Sequence, residues 1–415
     1  MNEMEYIMKQ KSNTYLLGGL ALFAIYLYYL SATPLPPKLE IKKTPTLNVT
    51  QEENLAFGYL NSLRVGAGLI PFHSHPQLNQ AARNHANYLS NHLTYGHKQD
   101  KKHHDFTGEF ASSRVTYVGY SAPQVIENVS THNPDYKASI NGLFSAIYHR
   151  FAFLDFRSDT IGIGVSQNRS HLEQTAFVYN MSSLALEVLY KQPSPVTSEK
   201  IQKALDVNKQ INSKVVLYPF PNQTEVPPAF FDELPDPLPE HKVSGFPISV
   251  SFNSFYHKEG KLLKFQLFDE QGNEITNTLK YDHKSDPNKR LEKLDFVLFP
   301  LDRLEWNRRY HVKFLAIVDN RIVKKEWSFS TQKFNLPLHI VKHNHQNFKI
   351  KQKNSHIFYF PPKSKVDLLS DIAYPSNLDI EFIDKNTIKL TVLAPVNKRQ
   401  RLLIGNYQLT LDTVK

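Results

Sequence analysis

Apolar and polar positions along this chain change rhythm three times. Residues 15–32 (YLLGGLALFAIYLYYLSA) are almost wholly apolar and carry no charge. At 1.5 Å per residue such a run just crosses a bilayer core of about 30 Å. From about residue 50 the apolar positions take helical spacing. Leu55, Tyr59, Leu60 and Leu63 share one stripe that ends at Gly66 and Gly68, and Thr50 with Glu53 reads as a capping box at its start. A second helix opens at Pro76, with Leu78, Ala82, His85 and Leu89 in register, and a third runs from about Asp135 to Phe151. The stripe of the third is Ile140, Phe144, Ile147 and Phe151, which leaves His149 to one side. The segments 160–165 and 175–179 then read as paired strands. Helices followed by a hairpin predict a layered α+β domain.

Beyond residue 190 the rhythm becomes that of strands. A polar connection with one short helix (192–214) leads into a proline-dense stretch. From Phe246 apolar and polar residues alternate, through 247–252, 263–268, 296–299, 310–314 and 327–329. About seven short strands at this spacing predict an Ig-like sandwich. The run Pro300, Leu301, Leu304, Tyr310 and Val312 resembles bacterial Ig-like modules. Residues 334–415 alternate again at 380–382, 388–392 and 407–411, which predicts a further small β domain.

Composition narrows the reading. With 415 residues the chain is too long for one core. It has no cysteine, so disulfides, thiolate nucleophiles and cysteine metal sites are excluded. A formal charge of +10 raises the question of nucleic acid. The basic residues are scattered, however, with Lys398, Arg399 and Arg401 their densest cluster, and no nucleic-acid partner is expected. A basic face that meets anionic lipid or cell-wall polymer suits an exported chain better. Lys9 and Lys11 precede the apolar run, as positive-inside orientation requires, and the spacer after it is rich in proline. Leu30 spoils a small-x-small cleavage site, so an uncleaved anchor is favoured over a cleaved signal peptide.

Candidate chemistry lies in one stretch: His97 after Tyr95-Gly96, Glu127 in Ile126-Glu127-Asn128, and His149 in Tyr148-His149-Arg150. Two imidazoles and a carboxylate from separate elements can line one cleft and hold a polar ligand or a divalent metal. Each residue also has a plain structural role open to it. His97 can be a loop histidine, Glu127 can accept backbone N–H bonds, and His149 can satisfy a buried partner beside Arg150. The pairs His73/His75 and His103/His104 are further metal candidates and are discounted as surface histidines. No zincin, nucleophile-elbow, Walker or dinucleotide motif is present. Gly162 and Gly164 alternate along a predicted strand and mark a close backbone approach.

Residues 50–182 resemble the CAP superfamily of cysteine-rich secretory proteins, antigens and pathogenesis-related proteins, in its bacterial branch. The matching pieces, in order, begin with Asn61-Ser62-Leu63-Arg64 with Gly68-Leu69, Pro76-Gln77-Leu78 and Ala81-Ala82-Arg83-Asn84-His85. Tyr95-Gly96-His97, Arg114 with Gly119-Tyr120, Glu127-Asn128, His149-Arg150 and Ile161-Gly162-Ile163-Gly164 follow. The resemblance implies an α-β-α sandwich whose cleft is lined by two His and two Glu. His97, Glu127 and His149 match three of those four. Ile126 and Tyr148 stand where the family has glycine, and the second Glu has no counterpart, Ala146 standing about there.

The expected organisation is an N-terminal anchor or signal segment (1–32), a spacer (33–49), a CAP domain (50–190), a linker (191–245), an Ig-like sandwich (246–333) and a small β domain (334–415). The expected function is binding of an extracellular ligand, a lipid or cell-wall component, rather than catalysis. Weak zinc or calcium binding at His97 and His149 is expected with it. The chain would be single-pass, with its C-terminal region outside the cytoplasm, or else secreted. A metal-assisted or His/Glu-dependent hydrolase, and a scaffold using its β modules, are the competing readings.

Overall fold

The computed structural model of the chain describes residues 45–370, 372–374, 377–393 and 399–414. The apolar run at 15–32 and most of the spacer lie outside the described residues. Within them no helix is long and apolar enough to cross a membrane. Two compact units emerge: Lys43–Pro337 with Pro361–Leu368, and Leu338–Phe360 with Leu369–Lys415.

The first unit starts with helix α1 (Val49–Gly66). Its cap is Asn48, whose side chain accepts from the Gln51 N–H, and not Thr50. Glu53 cannot serve a capping box because it turns inward, where it takes a two-pronged ion pair from Arg83 at 2.6–3.1 Å. Strand β1 (His73–Ser74), helix α2 (Pro76–Asn91), helix α3 (Ala111–Tyr117) and strand β2 (Ile126–Thr131) follow. The predicted third helix is two helices, α4 (Tyr136–Ser145) and α5 (Ile147–Phe153), broken at Ala146, where ψ rises to 112°. Strands β3 (Thr160–Gln167) and β4 (Thr175–Ser182) complete a sheet of order β1-β3-β4-β2, with only the β1–β3 pair parallel.

Strand periodicity sorts this sheet's two faces. Ile161, Ile163, Val165, Phe177, Tyr179 and Met181 pack with Ala56, Leu60 and Leu63 of α1 and with Ile140 and Phe144 of α4. Ala176 and Val178 point the other way, onto Ala82, Ala86 and Leu89 of α2. The α-β-α sandwich is therefore dictated by alternation. On the α2 face, β3 offers Gly162 and Gly164 at its centre, between Thr160 and Ser166, the latter bonded to Ser90 of α2 at 2.7 Å. A Cβ on Gly162 would sit 1.9 Å from the Leu78 carbonyl carbon, and one on Gly164 would sit 2.2 Å from that of Ala82. Backbone meets backbone there, as the alternating glycines predict.

Helices α6 (Leu184–Lys191) and α7 (Ser198–Ile211) lead to strand β5 (Val215–Tyr218), which lies inside the stretch read as linker. Strands β6 (Ala229–Phe230) and β7 (Ser244–Gly245) form a short pair. The sandwich itself has sheets β10-β11-β8-β5 and β13-β12-β9. Its strands are β8 (Ile248–Phe252), β9 (Gly260–Phe268), β10 (Thr278–Asp282), β11 (Asp295–Pro300), β12 (Arg309–Val318) and β13 (Arg321–Ser330), with β5 supplying the seventh. All named pairs are antiparallel, and Tyr310 and Val312 sit buried on β12. One continuous apolar core runs from Ala56 and Phe144 through Tyr218 and Phe246 to Phe314 and Phe329. The helical layers and this sandwich thus share an interior.

The second unit is a β-sandwich of two four-stranded sheets, β14-β16-β19-β18 and β15-β21-β20-β17. Its strands run from β14 (Leu338–Ile340), β15 (His345–Lys351), β16 (Ser355–Tyr359) and β17 (Ile372–Ala373) to β18 (Leu378–Asp384), β19 (Thr387–Val392), β20 (Arg399–Ile404) and β21 (Tyr407–Val414). Phe358, Leu390, Leu402, Leu409 and Leu411 are among the fully buried residues that close its core.

The Gly162 contact generates a direct test. Gly162→Ala forces α2 off the sheet, and overpacking of this kind against backbone costs about 3 kcal/mol. Both tryptophans of the chain, Trp306 and Trp327, lie in the first unit. Urea unfolding followed by their fluorescence should show a midpoint well below wild type. An unchanged midpoint would mean the helix and sheet are not in contact there.

Candidate functional site

The register of the sheet builds the site. Glu127 on β2 lies opposite Asn180 on β4, and Asn180 lies opposite Gly162 on β3. All three occupy the face that carries α2. Because Gly162 lacks a side chain, α2 comes close enough to place His85 next to the Glu127 carboxylate, at 3.9 Å from Oε1.

Glu127 is 3% exposed at its side chain and is surrounded by donors. Arg114 of α3, wholly buried, reaches both carboxylate oxygens with Nη2 at 2.7 Å. His97 donates Nδ1–H to Oε1 at 3.0 Å. Asn180, with its amide nitrogen toward the carboxylate, donates to Oε2 at 3.0 Å and accepts from the Ala82 N–H at 3.3 Å. Burial pushes the Glu127 carboxyl up. The His97 hydrogen bond and the charges beside it outweigh burial and hold its pKa below the ordinary value. A carboxylate can only accept, so the Nδ1 of His97 must carry the proton. The Nε2 edge is then left as the acceptor on a ring whose side chain is 50% exposed.

The backbone of His97 is held by the same arginine. Arg114 Nη1 donates to the carbonyls of His97 at 3.0 Å, Glu109 at 3.0 Å and Gly108 at 3.3 Å. His85 supports the loop from below. Its Nε2 meets the Gly96 carbonyl at 3.1 Å, and its Nδ1 faces Gln99 Nε2 at 3.2 Å. A carbonyl on one side and an amide donor on the other suit a neutral ring. Burial, with the Arg114 charge adding to it and Glu127 opposing, drives its pKa down to about 4.

His149 goes elsewhere. Its Nδ1 pairs with Glu233 at 3.0 Å, and the Glu233 carboxylate also accepts the N–H groups of Ile147 at 2.7 Å and Tyr148 at 3.1 Å. This is what breaks the predicted long helix at Ala146. Burial pushes the Glu233 carboxyl above its usual range in spite of the His149 bond. The flanking residues dock too. Tyr148 donates its hydroxyl to Asp286 at 2.5 Å, and Arg150 bonds Ser249 at 3.2 Å beneath the rings of Tyr218 and Phe246. The Tyr148-His149-Arg150 element therefore holds the helical layers to the β region. The His149 carbonyl accepts from Asn128 at 2.9 Å, on the strand that carries Glu127.

Of the three sequence candidates, the structure joins His97 to Glu127 and joins His149 to Glu233. Among the described residues, His97, Glu127 and His149 do not form a set with metal-ligand spacing. The Glu127 oxygens are already taken by Arg114, Asn180 and His97. The donor set expected for zinc or calcium at His97 and His149 thus does not fit one ion. Residues that the sequence reading left out of the site are Arg114, His85, Asn180 and Glu233. Arg114 and His85 lay inside the motif pieces.

Residues 57–181 match the family model described as CAP, the Cysteine-rich secretory protein family, and this segment is a CAP domain followed by an all-β, Ig-like region. No curated protein matches the sequence. Among solved structures, an extracellular protein containing an SCP domain from Bacillus anthracis is 16% identical, with TM-score 0.28, over 32% of this chain and 40% of its own. An outer surface protein of Borrelia burgdorferi is 15% identical, with TM-score 0.29, over 33% of this chain and 96% of its own. A cysteine-rich secretory protein of Staphylococcus aureus is 16% identical, with TM-score 0.26, over 34% of this chain and 42% of its own. The chain thus spans less than half of the Bacillus and Staphylococcus proteins.

His85 makes stability depend on pH. Its folded pKa of about 4 lies below the unfolded value of about 6.5, so the unfolded chain takes up the proton first on acidification. Stability is fully present above about pH 6.5 and is lost as pH falls toward 4, by roughly 3 kcal/mol from this group. Urea unfolding across that window, read by tryptophan fluorescence, should lose this slope in His85→Gln. Equal slopes would mean that His85 titrates as it does in water.

Proposed function

We propose that the CAP domain is an extracytoplasmic binding module whose contact group is His97. The single observation that carries this reading is the half-exposed ring with Nδ1 bonded to a buried, arginine-neutralised Glu127. The ring's orientation and tautomer are set before any ligand arrives, so Nε2 is a pre-placed acceptor for a hydroxyl or N–H. The ligand class that suits it is a hydroxyl-rich, anionic cell-wall glycan, and the charge of +10 favours such a partner over a neutral one. The uncharged run at 15–32, with Lys9 and Lys11 before it, supports a membrane anchor with the remainder of the chain outside.

The same pair has the make-up of a general base with its orienting carboxylate. Binding is preferred because no serine or threonine hydroxyl is bonded to His97 among the described residues, and the carboxylate is already neutralised. A divalent cation at His97 would find one imidazole nitrogen and no free carboxylate, so zinc at the cleft is a weak ligand in this reading.

The test is co-sedimentation of the full chain with purified cell-wall sacculi, in parallel with anionic lipid vesicles. His97→Ala should weaken sedimentation with sacculi at least tenfold, while His171→Ala, at an exposed turn, should leave it unchanged. Protease added to spheroplasts should digest the chain beyond Ala32. Equal sedimentation of His97→Ala and wild type would remove the cleft from the reading. Release of soluble glycan by wild type but not by His97→Ala would replace binding with hydrolysis.

A further inference from the structure

The loop that carries His97 returns to α2 through a second cluster of imidazoles. His92, the C-terminal cap of α2, points Nε2 at Asp105 Oδ1 at 2.5 Å. The rings of His103 and His104 lie 3.9 Å and 5.7 Å from that of His92, centroid to centroid. Ligand atoms of His92, His104 and Asp105 all fall within 4.8 Å of one another. In a tetrahedral site with bonds of about 2.1 Å, ligand atoms stand about 3.4 Å apart, so small side-chain rotations close the set.

The loop is already shaped for this. Tyr88 of α2 accepts from the Asp100 N–H at 2.8 Å, and Gln99 accepts from the Thr107 N–H at 2.8 Å. Turn bonds from His103 to Asp100 and from Phe106 to His103 hold the residues between. His92 and Asp105 are partly shielded and His104 is exposed, which leaves an approach from solvent. An open pocket of about 800 Å³ borders the cluster on one side, with Tyr88, His92 and His103 in its wall. Lys98, in the same wall, pairs with Glu109 at 3.4 Å.

We propose that His92, His104 and Asp105 form a binding site for one borderline divalent transition ion of the zinc class, with His103 in reach as a fourth ligand. Two imidazole nitrogens and one carboxylate oxygen favour zinc, nickel or copper over calcium and magnesium, which take oxygen sets. The ion replaces the His92–Asp105 hydrogen bond and ties residues 103–105 to the end of α2. It thereby stiffens the loop that presents His97, and takes no part in the cleft itself.

The test uses the full chain in detergent and zinc chloride alone, by titration calorimetry. Wild type and His97→Ala should each bind one ion with the same affinity. Asp105→Asn, which keeps the side-chain shape, should weaken binding about tenfold, and His92→Ala with His104→Ala should abolish it. Far-ultraviolet circular dichroism checks that the double variant folds, and Asp105→Asn decides the matter if it does not. Cobalt should give wild type the strong visible absorption of a four-coordinate site, and the variants should lack it. Zinc affinity unchanged in Asp105→Asn and the double variant, affinity lost in His97→Ala, or no uptake by wild type would each overturn the proposal.

Discussion

The site depends on one buried ion pair, Arg114 with Glu127. Both groups are taken out of water, and Nη2 at 2.7 Å from each carboxylate oxygen offsets that cost together with Nη1, which donates to three backbone carbonyls, while Nε is buried without a partner. Breaking such a pair by removing one partner leaves an uncompensated charge and typically costs about 3–5 kcal/mol. His97 is bound to the pair twice: its ring to Glu127 and its carbonyl to Arg114. The ion pair therefore fixes both position and orientation of the half-exposed His97 ring.

A second constraint shapes the other end of the CAP domain. Tyr148 and Arg150 contact Asp286 and Ser249 of the β region, while His149 contacts Glu233 in the segment leading into it. Tyr148 stands where the resembled family has glycine, and a glycine would offer Asp286 no hydroxyl. The departure from the motif is thus the signature of a docking surface. A shared apolar core backs these contacts, so the helical layers and the first β-sandwich are joined by interior packing as well as by polar contacts.

Features that depend on local periodicity were legible in the sequence. The alternating Gly162 and Gly164 announced the helix–sheet contact, and Tyr310 with Val312 marked the central strand of the sandwich. The His97–Glu127 pairing was legible through motif order. His149 was not, because its partner is 84 residues away in a proline-dense stretch with no periodic pattern. The long helix Asp135–Phe151 was misread for the same reason: Glu233 takes the N–H groups that a continuous helix would have used internally. Thr50 and Glu53 fit a capping box by spacing, but Glu53 turns inward to the ion pair with Arg83 instead. In each case a long-range charge overrode a local rule.

The central claim is that a buried carboxylate sets the tautomer of His97. Nitrogen-15 correlation spectra of the histidine rings, recorded at neutral pH and assigned with His97→Gln, test it most directly. His97 should appear as the neutral Nδ1–H form with Nε2 unprotonated, and Glu127→Gln should shift it toward the Nε2–H form common for free imidazole. A wild-type His97 already in the Nε2–H form, unaffected by Glu127→Gln, would contradict the account.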